Sequence, residues 1–246
     1  MPNTEFDQFA KDYSAGMEDP VKRLAGRSAD DFLAVKASWL VRDIRRSSAV
    51  GGGHERGPVR VLDFGCGTGA LLRLLQAAAP ELATCGCDAS SGMLEQARRG
   101  DWREPRPDLR QCTGSLVPYA AEQFDTVVAC CVFHHIAPAD RGAVLSDLVR
   151  VLRPGGSLYV FEHNPMNPVT AWMVKRTPID QNAVLLTPKE VMGLARGAGL
   201  VTDGCRYLLF LPPRWRWCRT IDRFLSRWLP GGGQYVVKAR KARACG

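Results

Sequence analysis

The 246-residue sequence contains no stretch approaching the roughly 18 consecutive apolar residues that a membrane-spanning helix requires, so no segment reads as a transmembrane span. It has nine cysteines but no Cys-x-x-Cys pair, which removes the usual nucleus of a structural zinc site, and no metal is expected. Cys66, Cys85, Cys87, Cys112, Cys130 and Cys131 fall in or beside apolar segments, where a free thiol behaves as a small hydrophobe, so a disulfide framework is not expected either. The opening segment MPNTEFDQFAKDYSAGMEDP is acidic and lacks the basic-then-apolar order of a signal peptide. These absences together lead to an expectation of a cytoplasmic protein. Also missing is the GxGxxG spacing with which a strand-to-helix turn seats a pyrophosphate on a helix N-terminus.

In its place stands Val61-Leu62-Asp63-Phe64-Gly65-Cys66-Gly67-Thr68-Gly69, a hydrophobic strand that opens into three alternating glycines before a helix. Glycine at every second position lets the backbone turn sharply and lets a ligand lie against the main chain, where a Cβ would collide. A carboxylate two residues upstream suits a ligand that carries an ammonium group and no phosphate. S-adenosylmethionine (SAM) is such a ligand, and DFGCGTG resembles the first motif of the class I SAM-dependent methyltransferases.

Further segments carry the resemblance onward. Asp88 lies 19 residues after Gly69, near the roughly 20-residue interval at which a doubly wound fold offers an acid to a ribose. The passage Leu148-Val149-Arg150-Val151-Leu152-Arg153-Pro154-Gly155-Gly156 is similar to the family's turn before its fifth strand. The resemblance implies that Gly65, Cys66, Gly67 and Gly69 cradle the methionine end of the cofactor beside Asp63. It further implies that Asp88 and Ala89 meet the ribose, that Met93 packs on the adenine, that Cys131 lines the cofactor side of the crevice, and that Tyr13 covers it. One departure concerns the segment Cys112-Thr113-Gly114-Ser115, which lacks the acid often found there. Gly114 and Ser115 are therefore assigned to the adenine edge through a hydroxyl or a backbone carbonyl.

Strand and helix patterns alternate along the chain, the signature of a parallel sheet with helices on both faces. Strands are expected near 59–64, 83–88, 109–112, 124–131, 156–163, 205–211 and 234–240. The fold class is thus α/β: a doubly wound, mostly parallel seven-stranded sheet with an antiparallel C-terminal strand and a helical N-terminal cap. The cap and its Gly-rich linker are placed at 1–57 and the SAM-binding core at 58–246, with a substrate-side insertion at 164–186 and a basic, Trp-bearing helix at 214–229. In the cap, Phe32, Val35 and Trp39 follow helical spacing. Thr187-Pro188-Lys189-Glu190 reads as a capping box that launches a later helix.

Strand C-terminal ends converge on one crevice in such a sheet, and Asp63, Asp88, His134, His135, Glu162 and His163 lie at or near them. His135 and His163 are the candidate catalytic residues, because a neutral imidazole accepts a proton near pH 7. From Cys205 onward there are eight Arg and two Lys against one acid, a net charge of +9 in a chain whose total is +8. The 214–229 helix sets Trp217, Ile221, Phe224, Leu225 and Trp228 beside Arg216, Arg219, Arg223 and Arg227. Such a helix can lie on an anionic membrane surface, receive an amphiphilic substrate, or pack its Trp face on the core. Nucleic acid is not the expected partner, since no RNA-binding module accompanies the charge.

The expected activity is transfer of a methyl group from SAM to an oxygen, nitrogen or carbon nucleophile of a small, amphiphilic or lipid-linked molecule in a biosynthetic step. The alternatives are a SAM-binding enzyme of other chemistry such as cyclisation, an NAD-dependent oxidoreductase, and a membrane-surface interaction module.

Overall fold

The computed structural model describes residues 29–50, 57–211, 216–226 and 229–243. Tyr13 and the 1–28 part of the expected cap lie outside the described residues, as do Trp228 and Arg227. Seven strands form one sheet: β1 Arg60–Phe64, β2 Ala83–Asp88, β3 Asp108–Gln111, β4 Phe124–Cys130, β5 Leu152–His163, β6 Leu200–Leu208 and β7 Gln234–Lys241. Their spatial order is β3-β2-β1-β4-β5-β7-β6. β1 to β5 pair in parallel, and β7 runs antiparallel between β5 and β6. This is the expected doubly wound sheet with an antiparallel strand near its end. The order reverses between β1 and β4, and a crevice opens outside the strand ends at such a reversal.

The strands are near-continuous apolar runs because helices cover both faces. Val61, Leu62, Phe124, Val127, Val128 and Ala129 are fully buried. On one face α1 (Ala29–Val50) and α2 (Ala70–Ala78) pack Leu40, Val41, Ile44, Leu71 and Leu75 against Val61, Tyr159 and Phe161. On the other, α4 (Arg141–Val151) and α6 (Pro188–Gly197) bring Val144, Leu145, Leu148, Val191 and Ala195 against β4, β5 and β7. The remaining helices are α3 (Ser91–Arg98), α5 (Pro168–Arg176) and α7 (Arg216–Leu225). Helix starts follow local chemistry. Ser90 caps α3 by accepting from the Met93 N–H, Asn167 caps α5 with Pro168 following it, and Thr187 with Glu190 forms the expected reciprocal capping box of α6.

Three local expectations are corrected. The buried face of α1 is Lys36, Ala37, Leu40, Val41 and Ile44, while Trp39 packs edge-on to Tyr159 and Phe161 at the margin. Strand β6 occupies 200–208 rather than 205–211, because Gly199 (φ +84°) turns the chain directly from α6 into the strand. It stops early because Leu209 adopts φ +61° and the N–H groups of Leu209, Phe210 and Leu211 all donate to Asp222 of α7. Among the described side chains, Asp222 of α7 and Ser226 just beyond it are buried, whereas Ile221 and Phe224 are exposed, so Ile221 and Phe224 do not form a core-facing stripe.

A single carboxylate fastens α1 to the sheet. Asp43 Oδ2 accepts from the Tyr159 hydroxyl at 2.9 Å and from Lys238 Nζ at 2.7 Å. Replacing Asp43 with Ala leaves the buried Tyr159 hydroxyl without this acceptor. The variant is expected to lose about 1–3 kcal/mol in urea unfolding, and an unchanged midpoint and slope would show that the clasp contributes nothing.

Candidate active site

The chain leaves β1 through three glycines in the left-handed region, Gly65 at φ +72°, Gly67 at +51° and Gly69 at +77°. A Cβ on Gly65 would sit 2.4 Å from Val132 Cγ2, and one on Gly69 would sit 2.7 Å from the Trp102 ring, so these two are fixed by close packing as well as by backbone conformation. Gly67 differs, because a Cβ there would meet nothing within 4 Å. The loop thus presents bare main chain to open space at its midpoint. Asp88, at the end of β2, holds this shape: its Oδ2 accepts from the Gly67 N–H at 2.7 Å and its Oδ1 from the Ser90 N–H at 2.9 Å.

Beneath the loop, Asp63 is 2% exposed and its Oδ1 has no hydrogen-bond partner. Burial, and then the charge of Asp88, push its carboxyl up to about 8, with Lys36 pulling in the opposite direction. A buried polar atom without a partner is uncommon, and this one keeps the capacity to accept from a donor.

Across the crevice, β4 ends at Cys130 and Cys131 follows at φ +59°. A 3-10 turn, Phe133–His135, then carries the paired histidines. Glu162, fully buried on β5, accepts from the Phe133 N–H at 2.8 Å through Oε1 and contacts His134 Nδ1 at 2.5 Å through Oε2. His134 is itself buried, and its Nε2 lacks a hydrogen-bond partner. Asp180 arrives from a second 3-10 turn, Pro178–Asp180, with Oδ1 3.6 Å from His134 Nε2 and 3.4 Å from His135 Nε2. Burial opposes charge on His134, yet Glu162 and Asp180 override it and raise the imidazole to about 10. Burial likewise opposes charge on Asp180, but the close approach of His134 and His135, with His163 acting in the same sense, holds it well below the usual carboxylate range. His163 lies nearby, its ring centroid 5.2 Å from that of His134 and its Nδ1 3.2 Å from Gln234 Nε2 of β7.

With this geometry in place, comparison with known proteins becomes decisive. A family model described as a methyltransferase domain matches residues 61–156. The chain is 34% identical over 170 residues to a demethylmenaquinone methyltransferase of Beutenbergia cavernae, an alignment spanning 66% of this chain and 62% of that relative. It is 31% identical over 181 residues to a ubiquinone biosynthesis O-methyltransferase of Ruegeria pomeroyi, covering 68% of this chain and 70% of the relative. The chain belongs to the class I SAM-dependent methyltransferases. The same fold recurs in a Thermotoga maritima SAM-dependent methyltransferase described as a possible histamine N-methyltransferase, at 18% identity, TM-score 0.65 and coverage of 96% and 98% of the two chains.

SAM is the cofactor of this methyltransferase, and the residues present fit it. The orphan oxygen of Asp63 and the uncovered main chain at Gly67 are the features an ammonium-bearing ligand would use. The NAD-dependent alternative is set aside with the family assigned. The other sequence-derived residues lie as follows. Cys66 is buried in the loop. Met93 is 2% exposed, in the first turn of α3 behind Asp88. Ala89 is exposed and its carbonyl accepts from Gln111 Nε2 at 3.0 Å. Gly114 and Ser115 form the exposed tip of a tight turn closed by the Thr113 to Leu116 bridge. His135 and His163 do not touch through any hydrogen bond described, but both stand beside His134.

Sequence reasoning missed Lys36, Asp180 and Gln234. Lys36 carried a signal, since it falls on the apolar side of α1 between Leu33 and Leu40. Asp180 and Gln234 carried none, because only the tertiary fold brings their segments to the histidines. His134, His135 and Asp180 offer ligand atoms within 4.8 Å of one another, a spacing invisible to a search for Cys-x-x-Cys pairs.

Asp63 gives a pH-dependent prediction. Its folded value, about 8, lies above the unfolded 3.8, so its contribution to stability is complete below the unfolded value and is lost as pH rises through the folded one. Between those limits the wild type should lose on the order of a few kcal/mol relative to Asp63→Asn. Urea unfolding of both proteins at acidic and at mildly alkaline pH checks this, and parallel pH profiles would refute it.

Proposed function

We propose that this methyltransferase acts on a small amphiphilic molecule, with an oxygen, nitrogen or carbon nucleophile presented on the histidine side of the crevice. The observation that carries this reading is an exposed apolar lip on the segment that also delivers Asp180. Met166 is 76% exposed, Val169 59%, Trp172 46% and Val184 49%. Val184 is anchored at the site itself, its N–H donating to the His134 carbonyl at 2.8 Å. The lip is tied to the loop before β7, where the carbonyls of Gly231, Gly232 and Gly233 accept from Asn167, Asn164 and Thr170. Exposed Leu229 lies in that same connection. The net +9 carried from Cys205 onward adds a basic setting, in which an anionic or lipid-linked acceptor, or the membrane surface holding it, would be favoured. The relatives from Beutenbergia cavernae and Ruegeria pomeroyi, a demethylmenaquinone methyltransferase and a ubiquinone biosynthesis O-methyltransferase, support an acceptor of this kind.

When bound, SAM supplies a methyl group already activated on a sulfonium. The task of the protein is then mainly placement. Gly65, Gly67 and Gly69, with Cys66 and Asp63, would hold the methionine end. Asp88 would meet the ribose hydroxyls beside Ala89, with Met93, Gly114 and Ser115 toward the adenine, Cys131 at the crevice wall and Tyr13 as a cover. His135, oriented by Asp180, is placed to take the proton that methylation releases, and His163 to orient the acceptor.

Calorimetric titration with SAM and with its demethylated product tests the cofactor half. Micromolar binding lost in Asp88→Ala is the expected outcome, and absence of binding by well-folded wild type would remove the basis of the proposal. For the acceptor half, Trp172→Ala should raise KM for acceptors bearing an alkyl tail while leaving their short-chain analogues unaffected. Equal effects on both would argue against an apolar lip that receives the tail.

A further inference from the structure

Lys36 presents an imbalance that the methyl-transfer reading leaves unused. It is 4% exposed on the buried face of α1, and its hydrogen-bond acceptors among the described residues are two sulfurs: Cys131 Sγ at 3.2 Å and Cys130 Sγ at 3.4 Å. No carboxylate is within ion-pair distance of its Nζ among the described residues. A buried ammonium without a counter-ion is strongly disfavoured, so either the amine gives up its proton or an anion faces it. Asp63, a carboxylate on which Lys36 acts, is held largely protonated by burial and by Asp88.

The sulfurs supply the anion, and geometry selects between them. Cys131 has the shorter contact to Lys36 and a second donor, Gln234 Nε2 at 3.7 Å. Its hydrogen bond with Cys130 lowers its pKa well below the ordinary thiol range against the effect of burial, with Lys36 and His163 acting in the same sense, while the partner thiol of Cys130 is pushed up. Lys36 is correspondingly raised: burial lowers it, and the two sulfurs more than compensate. The titratable groups around the two sulfurs are Lys36 from α1, Asp63 from β1, His134 from the turn after β4, His163 from β5 and Tyr235 from β7.

A further observation marks this spot as open to a ligand. Gln234 is 8% exposed, and while its Nε2 reaches both Cys131 and His163, its Oε1 has no partner. Cys131 itself is partly exposed at the strand end, next to Val132, which packs on Gly65 of the cofactor loop. The other partly exposed thiol with a described environment away from this pair, Cys205, is pushed up to about 12 by burial.

We propose that Cys131 and Lys36 form a thiolate–ammonium pair at the junction of cofactor and acceptor sites, and that this thiolate is a modification site for soft electrophiles from which bound cofactor excludes them. The cofactor half of this statement rests on the SAM crevice described above. With a haloacetamide, the sulfur lone pair forms a carbon–sulfur bond as halide leaves with the carbon–halogen pair. With a conjugated carbonyl such as a quinone, sulfur adds to the ring carbon, the π pair moves to oxygen, and that oxygen takes a proton from solvent. Neither step needs an oxidant. Either adduct fills the space between Val132 and His163 and so shuts the crevice.

Iodoacetamide at mildly acidic pH, followed by peptide mapping, tests the pair directly. Cys131 should be alkylated about tenfold or more faster than an ordinary thiol at that pH, since a free cysteine is then almost wholly protonated. Lys36→Met should remove most of that advantage, and saturating S-adenosylhomocysteine should protect Cys131 in the wild type. A Cys131 rate no greater than that of an ordinary thiol, or unchanged in Lys36→Met, overturns the pair. Labelling that persists when calorimetry shows the crevice occupied overturns the exclusion. If calorimetry shows no binding of the nucleoside at all, the cofactor reading fails, while the alkylation rate still decides the pair. Should Lys36→Met not fold, the ultraviolet thiolate absorbance of the wild type, compared with Cys131→Ser across an acid titration, decides the same point: a band missing at mildly acidic pH overturns it.

Discussion

Everything distinctive in this molecule depends on β1 pairing with β4 on the side opposite to β2. That pairing reverses the direction in which the sheet grows, so the loops leaving β1 and β4 diverge to opposite faces and leave a gap between them. The glycine loop closes one side and the histidine turn the other. Their nearest approach, Val132 against Gly65, is so tight that the absence of a side chain on Gly65 is a condition of the gap having its present width. The cofactor crevice is thus a consequence of strand order first and of residue choice second.

The second theme is charge held in a dry place. Asp63, Glu162, His134, Lys36 and Asp180 are all buried, and all but Asp63 meet one or two named partners in place of water. Glu162 and Asp180 hold His134 between them, while Lys36 faces sulfur. Groups arranged this way have little freedom to reorganise, which is the condition under which a crevice can position a reacting molecule with little further cost. Three atoms of the described assembly, Asp63 Oδ1, His134 Nε2 and Gln234 Oε1, are left without hydrogen-bond partners.

The core of the fold was legible because its signals are local. Alternating glycines before a helix, the Thr187 to Glu190 capping box and the apolar period of α4 each depend on residues within one or two turns of one another. The cofactor side of the site was legible for the same reason, since Asp63, the glycines and Asp88 belong to consecutive strand ends. The acceptor side resisted reading because it is assembled from β4, β5, β7 and the turn before α6, across separations that no spacing rule spans. The setting of α7 was left open by the sequence for a related reason: its apolar residues are visible there, but Asp222 fastens it through the backbone N–H groups of a different segment.

The insertion of β7 between β5 and β6 also bears on the order in which the protein can be made. β6 hydrogen-bonds to β7 alone, so as the chain leaves the ribosome β6 has no sheet to join until roughly thirty further residues have been added. The same late strand delivers Gln234 to Cys131 and His163 and Lys238 to the α1 clasp. The first five strands can therefore collect into a parallel sheet during synthesis, whereas the acceptor side remains an open edge until the end. A chain halted in that interval would expose β5 as an unpaired apolar edge, making this the stage of its life at which it most needs protection from its neighbours.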